Sequence, residues 1–95
     1  MTALEWLKHG RALLNDPEKW LQMPGFYCYG GRYCAAGALG YREEHFFTDT
    51  QEQAIAYLDR AVGDYVEEWN DHPTTTHAMV LEAYDRAIAL AESGQ

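Results

Sequence analysis

The sequence is poor in basic residues. Only seven of its 95 residues are Lys or Arg, against fifteen Asp or Glu, and the formal charge at neutral pH is −8. No two basic residues are adjacent, so no local patch offsets a field that repels nucleic-acid backbones and anionic membranes. We therefore expect neither a nucleic acid nor a membrane as partner. An acidic surface suits a basic protein partner, or simply solubility.

Long apolar segments and recognised cofactor motifs are also missing. The longest run of small or apolar residues, 34–41, is far too short to cross a bilayer, and the first residues lack the features of a signal peptide. The two Cys and four His follow no metal-ligand spacing, and no glycine motif cradles a phosphate. We expect a cytoplasmic protein without metal or cofactor, folded as one domain over residues 1–95.

The apolar pattern predicts a mainly α fold, a compact bundle of four to five helices with a short inserted β-hairpin. Helical spacing covers residues 3–14, 54–69 and 80–91. Asp16 and Pro17 start a short helix over residues 17–22. A capping box pairs Thr48 with Gln51, or residue 50 with residue 53. Gly63 kinks or divides the long periodic segment.

Residues 26–34 predict the hairpin, because aromatic residues flank a Gly-Gly turn. A two-residue turn would pair Cys28 with Tyr33 and put the two thiols on opposite faces. A three-residue loop would set Cys28 opposite Cys34 and permit a disulfide, although a cytosolic setting favours free thiols. The small residues 34–39 then predict a short buried helix.

Four motifs follow one another along the chain: D-P-E-K-W-L-Q at 16–22, C-A-A-G-A-L at 34–39, W-N-D at 69–71 and D-R-A-I-A-L-A at 85–91. Together they resemble a family of small uncharacterised proteins, a domain of unknown function, from actinobacteria and their bacteriophages. The resemblance implies a bacterial or phage origin and no assigned catalytic residue. The chain departs from it in a shorter segment between Gln22 and Cys34, and in Met79, where members often carry Glu.

Cys34 is the one candidate nucleophile. At the N-terminus of a helix its thiolate would be stabilised by the helix dipole. A base and an orienting group would complete a cysteine-dependent hydrolase or transferase, with candidates His45, His72 or His77 and Asn70 or Asp71. The competing interpretation is a small buried residue, and Trp69-Asn70-Asp71 has a structural explanation as the closure of a helix.

Aromatic residues are concentrated around the hairpin. Seven lie within 22 positions: Phe26, Tyr27, Tyr29, Tyr33, Tyr41, Phe46 and Phe47. Because only one face of a hairpin packs on the core, some rings should be exposed, and tyrosine is common in protein-binding hot spots. We predict a binding surface formed by Tyr27, Tyr29, Arg32 and Tyr33.

These observations favour a non-enzymatic interaction module of phage or prophage origin. It would bind a protein of the bacterial host, or a copy of itself, in the host cytoplasm. The cysteine enzyme centred on Cys34 is the alternative. An acidic mimic of DNA is a third hypothesis, which requires carboxylates arrayed like phosphates.

Overall fold

The computed structural model describes residues 1–40 and 47–94, and it confirms the mainly α prediction. The α-helices are α1 (Ala3–Leu13), α2 (Asp49–Val62), α3 (Val66–Asp71) and α4 (His77–Glu92). Between α1 and α2 lie 3₁₀ turns at Pro17–Lys19 and Gly37–Leu39, and a hairpin of β1 (Cys28–Tyr29) and β2 (Arg32–Tyr33). No helix in these two ranges has the length and apolar character to span a bilayer.

Helices α1, α2 and α4 pack against one another and enclose the core. Each contributes apolar side chains spaced three or four residues apart, which places them on one face of the helix. The buried side chains from these helices include Leu7 of α1, Ala54 and Leu58 of α2, and Val80, Tyr84 and Ala87 of α4. The 3₁₀ turn at Gly37–Leu39 contacts both α1 and α2 and supplies buried Leu39.

Tyr84 connects the bundle to the segment before this turn. Its ring is fully buried and its hydroxyl donates to the carbonyl of Ala35. The ring lies directly against Gly10 of α1, where an added Cβ would come within 2.5 Å of the Tyr84 oxygen. Glycine at this position therefore permits the close approach of α1 and α4.

Caps fix the ends of the long helices. Thr48 and Gln51 form the capping box of α2, so the first of the two predicted alternatives is the one observed. Gly63, with φ of +72°, ends that helix in a left-handed conformation, which glycine adopts without strain. The chain resumes a helix at Val66, whose amide donates to the Asp59 carboxylate at 2.8 Å. The periodic segment 54–69 is thus divided between α2 and α3.

Two short helices differ from expectation. Asp16 caps the first as predicted, but it is a 3₁₀ turn that ends at Lys19. The chain then runs alongside the hairpin, where the amide of Leu21 donates to the carbonyl of Tyr33 at 2.8 Å. The second is a 3₁₀ turn that starts at Gly37 rather than at Cys34. The backbone at Cys34 still continues the pairing of the hairpin, since its amide donates to the carbonyl of Tyr27.

The hairpin has the shorter of the two predicted turns. Cys28 pairs with Tyr33, and the two central glycines have φ of +61° and +77°, as a type I′ turn requires. Cys34 follows Tyr33 in the chain, so its side chain is not opposite Cys28. Both thiols are free.

Candidate functional site

A single buried amide joins three of the sequence motifs. Oδ1 of Asn70 accepts from Nε1 of Trp20 at 2.7 Å and from the amide of Ala35 at 2.9 Å. Its Nδ2 donates to the carbonyl of Leu21 at 2.9 Å and to Oδ1 of Asp71 at 3.0 Å. Asn70 is fully buried, and these four bonds use its whole donor and acceptor capacity.

The neighbouring Gln22 completes the same junction. Its Nε2 lies 2.9 Å from the carbonyl oxygen of Asn70, 3.1 Å from that of His72 and 3.2 Å from that of Thr75. The last carbonyls of a helix have no partner within it, and this side chain supplies one at the end of α3. Trp20, Gln22 and Asn70 therefore hold the chain that leads into the hairpin against α3. This supports the structural explanation of Trp69-Asn70-Asp71.

A small cleft lies beside this junction. Its volume is about 210 Å³, and it is lined by Gly25, Phe26, Tyr27, Cys34, Glu67 and Asp71. Glu67 and Asp71 are four residues apart on α3, so they share one face of that helix. The other wall is the chain that enters the hairpin. We call this feature the acidic cleft.

Cys34 is buried in the lining of this cleft, with 3% of its surface exposed. Burial raises the pKa of its thiol to about 11, and the negative charges of Asp71 and Glu67 act in the same direction. Backbone amides of Gly37 and Ala36 oppose the rise but do not cancel it. The thiol is thus protonated at neutral pH, whereas a cysteine nucleophile reacts as the thiolate.

His72 and His77, the two candidate bases among the described residues, have other hydrogen-bond partners. Nε2 of His77 lies 2.6 Å from the carbonyl oxygen of Leu14, and its ring packs against Trp20. Nδ1 of His72 lies 2.7 Å from the hydroxyl oxygen of Thr74. The candidate His45 lies outside the described residues.

The structure therefore brings only part of the predicted catalytic set together. Asp71 shares the acidic cleft with Cys34, but its charge stabilises the thiol rather than the thiolate. Over residues 1–40 and 47–94, no three His, Cys, Asp or Glu side chains are grouped so that they could hold a metal ion.

The predicted binding residues occupy different environments. Tyr29 is 61% exposed at the tip of the hairpin. Tyr27 is half-buried, with its ring edge-to-face on Phe47 at 5.3 Å between centroids, and Tyr33 is half-buried against the core. Arg32 is exposed and its Nε donates to the carbonyl of Glu18 at 3.1 Å.

Phe26, which lies outside the predicted set, is the second exposed ring of the hairpin segment. It is 48% exposed and meets Tyr29 edge-to-face, with 5.8 Å between ring centroids. We call Phe26 and Tyr29 the aromatic edge. A signal for Phe26 is present in the sequence, since it directly follows Pro24-Gly25 and turns of this kind run over the surface.

The comparison with protein families gives a match over most of the chain. A model described as a family of unknown function (DUF6197) matches residues 1–90. The searches of curated proteins and of solved structures found no match.

Proposed function

We propose that this protein, which belongs to the DUF6197 family, is a non-enzymatic interaction module that binds a partner protein through its aromatic edge. The observation that carries the proposal is the exposure of Phe26 and Tyr29, at 48% and 61%, in mutual edge-to-face contact. Neither ring belongs to the buried core or to the partly buried residues packed on it.

Two adjacent exposed rings form an apolar patch that a partner can bury. Full burial of a large apolar side chain stabilises a complex by about 1.5–3 kcal/mol. Their contact with each other also fixes part of their side-chain freedom in advance, which lowers the entropy lost on binding. Binding hot spots are rich in aromatic residues and cluster at pockets, and this aromatic pair lies beside a cleft.

The charge of the chain supports a different protein, rather than a second copy, as the partner. Two copies would each bring a formal charge of −8 to the interface, and like charges facing each other oppose association. A partner with a basic surface would instead be attracted. We extend the proposal to a bacterial or phage origin, and with it a cytoplasmic location in the host, on the strength of the motif resemblance.

The cysteine enzyme has weaker support. It needs an accessible thiolate and a base, whereas Cys34 is buried, its pKa is raised to about 11, and both described candidate bases have other hydrogen-bond partners. No observation on the described residues favours it over the interaction module.

The test is a paired binding experiment. Tagged wild-type protein is used to recover partners from a lysate of the source organism, and affinities for the purified partner are then measured by calorimetry. The double variant Phe26→Ser with Tyr29→Ser should weaken binding by at least about thirtyfold, since the loss of one hot-spot ring costs about 2 kcal/mol or more.

Tyr65→Ser is the matched control. Tyr65 is 68% exposed and belongs neither to the aromatic edge nor to the lining of the acidic cleft, so its loss should leave the affinity within about twofold. Equal affinity of the double variant and the wild type would overturn the proposal. A dimer seen by sedimentation and abolished by the double variant would replace the partner protein by a second copy.

A further inference from the structure

The acidic cleft and the aromatic edge are continuous, because Phe26 belongs to both. The lining of the cleft combines residues 25–27, two of them aromatic, with the acidic residues Glu67 and Asp71. A partner that covers the aromatic edge would therefore also face this cleft.

We infer that the acidic cleft receives an arginine side chain of the partner protein. This inference rests on the proposed function, since it names the chemistry that the partner presents next to the two rings. It also gives the negative surface of the protein a specific point of contact rather than a general attraction.

The two carboxylates are available for such a contact. Glu67 has no hydrogen bond or ion pair with any described residue, and Oδ1 of Asp71 accepts only from Nδ2 of Asn70 at 3.0 Å. Both side chains are half-buried, so bulk water and salt screen their charges less than those of exposed groups. Their field reaches the floor of the cleft, where it helps to raise the pKa of Cys34.

The size and the lining of the cleft favour arginine. A volume of about 210 Å³ is below the ~300–1,000 Å³ of pockets that hold a whole small molecule, and it suits a single long side chain. Guanidinium is planar and weakly hydrated, stacks on aromatic rings and donates in a fork to carboxylates. The lining of the cleft includes both kinds of partner, the aromatic residue Phe26 and two carboxylate residues.

The probe for this contact is N-acetyl-arginine methylamide, titrated into uniformly ¹⁵N-labelled protein and followed by amide chemical shifts. The control probe is the citrulline counterpart, which has almost the same shape and no charge. We expect saturable shifts at residues 26, 34, 67 and 71 with the arginine probe, half-saturated at about 10–50 mM as one weakly held side chain implies. The citrulline probe should bind at least about fivefold more weakly.

Charge-removing variants locate the site. The double variant Glu67→Gln with Asp71→Asn keeps the side-chain sizes, and the new amide at 71 retains the oxygen that accepts from Asn70. It should weaken the arginine probe by about fivefold or more, as expected from losing two partly buried charge contacts. Glu68→Gln removes the same charge from an exposed neighbour on α3, and it should change the affinity by less than about twofold.

Three results would overturn the inference: no saturable shift up to about 100 mM probe, equal binding of the citrulline probe, or equal weakening by Glu68→Gln and by the double variant. Each of these is distinguishable from failure of the proposed function. If the Phe26→Ser/Tyr29→Ser variant still loses affinity for the purified partner, the proposed interaction module is retained and only the arginine site is rejected.

Discussion

Replacement of Asn70 by alanine should destabilise the protein by about 3–5 kcal/mol. The change removes four hydrogen bonds and leaves the amide of Ala35 and the carbonyl of Leu21 without partners. Both residues are buried, at 1% and 4% exposure, and an unsatisfied buried polar group costs about 1–3 kcal/mol. The lost side-chain volume adds a small cavity. The loss of the bond from Nε1 of Trp20 adds less to the cost, because Trp20 is only half-buried.

This cost is a large share of the ~5–15 kcal/mol that stabilises a typical domain. Urea unfolding followed by circular dichroism measures it directly, and Tm should fall by about 15 °C or more. Asn15→Ala is the control, since Asn15 is exposed and its oxygen accepts only from Arg11. That variant should lose less than about 0.5 kcal/mol.

Asn70→Asp separates hydrogen bonding from packing. It keeps the accepting oxygen but places a carboxylate against the carbonyl of Leu21 and the carboxylate of Asp71, so it is destabilising at neutral pH. The folded-state pKa of the new group would lie above its unfolded value, so folding is least impaired at low pH and the deficit grows as pH rises. A loss below about 1 kcal/mol in Asn70→Ala, or a deficit independent of pH in Asn70→Asp, would refute the account of this junction.

Three further outcomes follow from buried groups. Maleimide should modify half-buried Cys28 in the native protein and leave Cys34 unmodified until the protein unfolds. Labelling of both thiols at similar rates in the native protein would support the cysteine-enzyme hypothesis. As pH rises from about 8.5 to about 11, the unfolded Cys34 thiol ionises before the folded one, so stability falls. Cys34→Ala should remove about 2–3 kcal/mol of that fall in urea titrations; an unchanged slope would contradict the raised pKa. Burial also raises the pKa of Tyr84 in both proteins, so part of the fall remains in the variant. Gly10→Ala should lower the free energy of unfolding by about 1–3 kcal/mol, because the new methyl group overlaps Tyr84. Ala12→Gly, at an exposed position of the same helix, should lower it by about 1 kcal/mol through helix propensity alone. An increase in stability on Gly10→Ala would contradict the close packing.

The parts of the fold that depend on local chemistry could be predicted from the sequence. The capping box at Thr48, the cap at Asp16 and the break at Gly63 each involve residues within a few positions of one another. Both short helices were predicted too long, because residues at their ends form hydrogen bonds with the hairpin segment instead. Leu21, for example, bonds to Tyr33 rather than continuing a helix.

The candidate site was predictable only in part, for a related reason. Tyr29 is exposed as expected, but a bend at Tyr27 breaks the strand alternation and turns that ring onto Phe47. The pairing of Asn70 with Trp20 joins residues 50 positions apart, and no periodicity or spacing reports such a contact. The acidic cleft depends on the same long-range junction.

The most direct test of the proposed binding surface is site-specific photo-cross-linking. A benzophenone analogue of phenylalanine in place of Tyr29 should yield one discrete adduct that wild-type protein competes away and the Phe26→Ser/Tyr29→Ser variant does not. The same analogue in place of the more exposed Tyr65 should yield no such adduct. Equal adducts at both positions, or equal competition by the two proteins, would contradict a binding role for the aromatic edge.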